Sequence, residues 1–68
     1  MASKESTSDL SGLDLVIMRH LNSGREIEEI SRLVKAQPDV VGKEIARLQL
    51  DGYIGSDGTL TEKGLEAL

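Results

Sequence analysis

The chain has no cysteine, phenylalanine or tryptophan, a single tyrosine (Tyr53), a single histidine (His20) and a single proline (Pro38). Each scarcity removes something. Without cysteine there is no disulfide framework and no thiolate metal site. With one histidine and no cysteine beside it, a histidine-based metal centre is excluded as well, and His20 reads as a surface residue. With one aromatic residue, the core has to be built from Leu, Ile and Val. No apolar run approaches the roughly 18–20 residues that span a bilayer, and the amino terminus carries no apolar signal region. These absences point to a cytoplasmic protein that takes no membrane as partner. Basic residues are also in deficit: eight Lys and Arg against twelve Asp and Glu leave a formal charge of −4. Nucleic-acid binders draw most of their non-specific affinity from phosphate contacts, so any such contact here has to come from a local face.

Catalytic signals are missing too. Ser, Asp and Glu are scattered along helix faces and caps, with no spacing that unites nucleophile, base and oxyanion donor. The seven glycines are isolated and form no phosphate-binding loop. The expectation is a protein that is not an enzyme and that holds no cofactor and no metal.

What is present is a short series of helical patterns. Sixty-eight residues make one domain with a small core. Residues 1–9 are rich in Ser and Thr and read as a disordered tail ahead of a domain over residues 10–68. Leu13, Ile17 and Leu21, with Val16, form the stripe of a first helix, capped by Ser11 or Asp9 and stopped at Asn22-Ser23-Gly24. Leu10, Leu15 and Met18 lie off that stripe. They either pack in part or face a partner.

A second helix covers about Glu26 to Val34, with Ile27, Ile30, Leu33 and Val34 at helical spacing and three glutamates in its first turn. Pro38 fits a first helical turn and no interior position, so it starts a third helix that runs to about Asp51 and stops at Gly52. Val41, Ile45 and Leu48 share one side of that helix. Tyr53-Ile54 and Thr59-Leu60 read as two very short strands around Gly55-Ser56-Asp57-Gly58, and Thr61 caps a final short helix. The expected fold is mainly α with a small β-hairpin.

The order and spacing from Glu29 to Gly64 resemble the winged helix-turn-helix family of small bacterial and archaeal transcription regulators. Glu29-Ile30-Ser31, Val34-Lys35-Ala36 and Gln37 occupy the first helix and turn of that motif. Val40-Val41, Ile45, Leu48, Gly52 and Ile54 match its recognition-helix register, and Leu60-Thr61-Glu62-Lys63-Gly64 resembles the segment that follows the wing. Lys35 stands where glycine is usual in the turn, Val40 where threonine is usual, and Gln37 where a serine or threonine caps. The resemblance implies a three-helix core, a short wing and a short C-terminal helix, with the helix over residues 38–51 entering the major groove of double-stranded DNA; one small, weakly charged domain would cover too little duplex for useful specificity, so a dimer is expected.

On that helix, the face opposite the apolar stripe carries Asp39, Lys43, Ala46, Arg47 and Leu50. The DNA-contacting candidates are Lys43 and Arg47, one turn apart, with Gln37 and Val40 near the helix start, and Lys35, Arg32 and Arg25 as auxiliary backbone contacts. Lys35, Lys43 and Arg47 against Asp39 and Glu44 make this stretch +1. The bland reading of Lys43 and Arg47 is a solvated face paired with Asp39 and Asp51. The alternative function is a protein-interaction module that binds no nucleic acid, using the apolar Val40, Ala46 and Leu50, with Leu15 and Met18 as a second possible contact or homodimer surface. The acidic wing, without Lys or Arg, favours that alternative.

Overall fold

The apolar spacing produces four helices in the computed structural model, which describes residues 10–68. They are α1 (Gly12–Asn22), α2 (Ile27–Val34), α3 (Pro38–Leu50) and α4 (Glu62–Glu66). The tail expected over residues 1–9 lies outside the described residues. Helices α1, α2 and α3 pack against one another in all three pairings. Ile17 and Met18 of α1, Ile30 of α2, Val41, Ile45 and Leu48 of α3, and Ile54 beyond it form the buried core, with Leu13, Leu21, Val34, Tyr53 and Leu60 packed around it. No helix among the described residues is long and apolar enough to cross a membrane.

Local chemistry sets the helix ends. Ser11 caps α1 by accepting from the Asp14 N–H, while the Asp14 carboxylate accepts from the Ser11 N–H, so two orphan donors are satisfied at once. Pro38 opens α3 at a position where its missing N–H costs nothing. Lys35 ends α2 in the left-handed conformation (φ 59°, ψ 44°), the only positive-φ residue other than glycine among those described. A lysine therefore adopts the backbone geometry for which glycine is the usual solution.

The expectation of a β-hairpin wing is corrected. Among the described residues there is no strand. Ile54 and Leu60 form one isolated antiparallel bridge, closed by a Gly55 N–H to Thr59 carbonyl bond of 2.7 Å. The physical reason is length. Only two residues flank each side of the turn before Thr61 leaves to cap α4, and a ladder cannot propagate over so short a pair. The winged helix-turn-helix architecture read from the sequence is thus replaced by an all-helical fold with a bridged turn.

The Leu60-to-Gly64 segment has a structural job. The Thr61 hydroxyl accepts from the Gly64 N–H (3.1 Å) and donates to the Gly52 carbonyl (2.6 Å). Lys63 Nζ donates to the Asp51 carbonyl (2.7 Å) and lies 4.4 Å from the Tyr53 ring centroid. Gly64 is buried so closely against Tyr53 that an added Cβ would sit 2.1 Å from its carbonyl oxygen. Together these contacts fasten α4 to the end of α3.

Candidate functional site

Helix α3 buries one face, through Val41, Ile45 and Leu48, and leaves the rest in solvent. Gln37, Asp39, Val40, Lys43, Ala46 and Leu50 are all exposed. Leu50 is the extreme case at 88% accessibility, against 40% for Val40. At the start of this face, Arg32 and Lys35 are exposed beside the turn. Neither these two cations nor Lys43 has an acidic partner among the described residues. Arg25, half-buried, sits 3.9 Å from Glu29 and belongs to a loose surface pair.

Arg47 is the exception. Its Nη2 donates to Asp14 (2.5 Å) and Glu44 (2.8 Å), and its Nη1 lies 3.5 Å from Asp51. One guanidinium is thus shared by three carboxylates. These bonds, to Glu44 first and Asp14 second, push its pKa further above the ordinary arginine value. Arg47, expected as a DNA contact, is thus already engaged by carboxylates, and its side chain ties α3 to the first turn of α1. The surface reading that pairs it with Asp51 captures one of its three partners.

Asp14 is the residue that sequence reasoning missed. Its side chain is fully buried, whereas that of Arg47 remains 43% exposed. Burial pushes the carboxyl up. Hydrogen bonding around it outweighs burial: it involves Glu44, which shares Nη2 of Arg47, then the Ser11 N–H, then Arg47 itself. The carboxyl is held below its ordinary 3.8. Both hydrogen bonds land on Oδ2, and Oδ1 is buried with no partner among the described residues. A signal was present in the Ser11-x-x-Asp14 spacing, which is that of a capping box. The ion pair was not legible, because Arg47 lies 33 residues away.

The second surface expected on α1 is also corrected. Met18 is fully buried in the core and Leu15 is half-buried, so Met18 is unavailable to a partner. The inner face of α1 is centred on Asp14, Ile17 and Met18. Val16, expected beside the buried stripe, is turned outward at 39% accessibility.

The bridged turn carries no cation. The N–H of Thr59, and then its hydroxyl, hold the Asp57 carboxyl below its ordinary value. The turn is therefore an anionic tip.

Compared with protein-family models, curated proteins and solved structures, the chain matches none. The resemblance drawn over Glu29 to Gly64 rests on those residues alone.

Proposed function

We propose that this chain is a cytoplasmic module that binds double-stranded DNA in transcriptional regulation through the outer face of α3, and that its task is binding, not catalysis. The observation that carries this reading is a set of free cations from the end of α2 into α3: Arg32, Lys35 and Lys43 are exposed and unpaired among the described residues, beside a helix whose outer side is open. Thirteen residues make a cylinder about 20 Å long, and a helix of this width fits the roughly 12 Å major groove. Lys43 contacts phosphate from the middle of α3, Lys35 and Arg32 hold the backbone near its start, and Gln37 and Val40 meet base edges. Arg47 acts as a brace that sets the angle of α3 on α1.

Three phosphate contacts predict a modest salt dependence, with log K falling against log salt at a slope of about −2.7, or about 40-fold between 50 and 200 mM. Fluorescence anisotropy with a labelled 20-base-pair duplex measures this directly. Lys43→Ala should reduce the slope by about 0.9. No binding at the lowest salt, or a slope untouched by Lys43→Ala, defeats the reading.

A second reading follows from Leu50. A leucine at 88% accessibility, on the same face as Val40 and Ala46, supports a protein-interaction module or a homodimer contact. Sedimentation of the full chain separates the two. Under this second reading Leu50→Asp abolishes self-association or partner binding with the helical content intact, whereas under the DNA reading it leaves the protein's mass in solution unchanged.

A further inference from the structure

The three carboxylates around Arg47 differ in depth. Asp14 is fully buried, whereas the side chains of Glu44 and Asp51 are 29% and 40% exposed. Nη2 commits its N–H donors to Asp14 and Glu44. Nη1 meets Asp51 only as an ion pair at 3.5 Å, beyond the roughly 2.7–3.2 Å of an N–H···O hydrogen bond. The donors on Nε and Nη1 make no hydrogen bond among the described residues, and the Arg47 side chain is 43% exposed. Arg47 is thus anchored through Nη2 by a buried acid and still offers N–H groups to solvent.

The surplus of acid calls for a reason. A single carboxylate neutralises a guanidinium, and Asp14 supplies it; Glu44 and Asp51 leave this cluster net negative. Asp51 is also the C-cap of α3, the end at which the helix dipole disfavours an anion. Lys43, exposed and one turn before Arg47, projects beside it from the neighbouring position on the helix surface. A phosphate bound by Lys43 therefore lies within reach of a second cation, but that cation already faces two solvent-side carboxylates. Those carboxylates compete with the phosphate for the same donors and repel it.

We propose that Glu44 and Asp51 are a built-in restraint on duplex binding, which keeps Arg47 from phosphate while Lys43, Lys35 and Arg32 make contact. The inference rests on the DNA reading and concerns how strongly that face binds. Asp14 holds Arg47 in place as a brace, and the two outer acids set its availability.

Anisotropy with the labelled 20-base-pair duplex tests this on the full chain, with circular dichroism showing each variant folded. Glu44→Gln combined with Asp51→Asn frees a fourth phosphate contact. The salt slope should steepen by about 0.9, which makes binding about eightfold tighter at 0.1 M salt for a contact that adds nothing at 1 M. Loss of negative charge alone would also tighten binding, so the same pair of changes is made in Arg47→Met, where the slope should stay as it was. The Nε–Hε resonance of Arg47 gives a readout that needs no change at Arg47: duplex should shift it strongly in the neutralised variant and weakly in the wild type. Equal gains with and without Arg47, an unchanged slope, or an Nε–Hε signal that duplex leaves in place would each overturn the restraint and leave the DNA reading standing. No binding by any variant at the lowest salt would remove both.

Discussion

Replacing Arg47 by methionine isolates the contribution of the brace between α3 and α1. Methionine keeps an unbranched stem and a good helix propensity, so the change removes charge and hydrogen bonds with little else. Stripping one partner from a fully buried ion pair typically costs about 3–5 kcal/mol. Here the pair is asymmetric: Asp14 is fully buried, while the Arg47 side chain is 43% exposed and partly screened by water. Asp14 also keeps the Ser11 N–H and the favourable end of the α1 dipole. These two corrections bring the expected loss down to about 2 kcal/mol. For a domain of this size that is a fall of about 10 °C in Tm.

Circular dichroism melts at several pH values check both the size and the sign. Because the folded Asp14 carboxyl lies below its ordinary 3.8, its stabilisation is present above that value and is lost as pH falls through the lower folded one. In Arg47→Met, burial is less opposed and the folded value rises, so protonation relieves the buried charge sooner. The gap between the two proteins should be widest near neutrality and shrink below about pH 4. A double-mutant cycle with Asp14→Asn should reveal coupling, whereas Glu44→Gln and Asp51→Asn, at exposed partners, should cost under about 1 kcal/mol each. If Arg47→Met costs no more than Glu44→Gln, or if the gap is flat in pH, the buried-pair reasoning is wrong.

Three further outcomes follow from the backbone. Gly64→Ala should cost about 2–3 kcal/mol, because its Cβ would meet the Tyr53 carbonyl oxygen at 2.1 Å; a melt within 0.5 kcal/mol of wild type would mean that α4 shifts freely. Thr61→Val keeps the shape and removes both the α4 cap and the bond to the Gly52 carbonyl, for an expected loss of about 1–2 kcal/mol by urea titration. Lys35→Gly relieves a left-handed lysine and should leave stability unchanged or raise it by up to about 1 kcal/mol, while weakening duplex binding measured by anisotropy.

Helix positions were largely legible because apolar spacing and Pro38 encode them locally. Pro38 sits at the first position of α3 as its chemistry requires, and Thr61 caps α4. The expected α1 stripe of Leu13, Ile17 and Leu21 does face the core, but counting the period over apolar residues alone left out Asp14. The face turns about Asp14, whose burial depends on a guanidinium supplied from α3. Met18, left open between packing and a partner surface, belongs to the same inner face. The hairpin failed at the level of length, since β-like residues flank the turn but are too few to pair beyond Ile54 and Leu60. At the candidate site, Lys43 and Leu50 are exposed as their wheel positions suggest. The state of Arg47 could not be read from the wheel, because two of its three partners are within four residues and the decisive one is not.

The fastening of α4 also imposes an order on folding. Thr61 and Lys63 reach back to backbone carbonyls: the Thr61 hydroxyl and N–H donate to those of Gly52 and Tyr53, and Lys63 Nζ donates to that of Asp51. Those carbonyls are arranged as a docking surface only once α3 has formed and turned at Gly52. The docking of the C-terminal segment thus depends on the end of α3 being formed. Contacts made after the rate-limiting step govern how fast a protein opens and hardly affect how fast it forms. If the Leu60-to-Gly64 segment latches the domain in this way, Thr61→Val should raise the unfolding rate and leave the folding rate nearly unchanged in stopped-flow denaturant jumps.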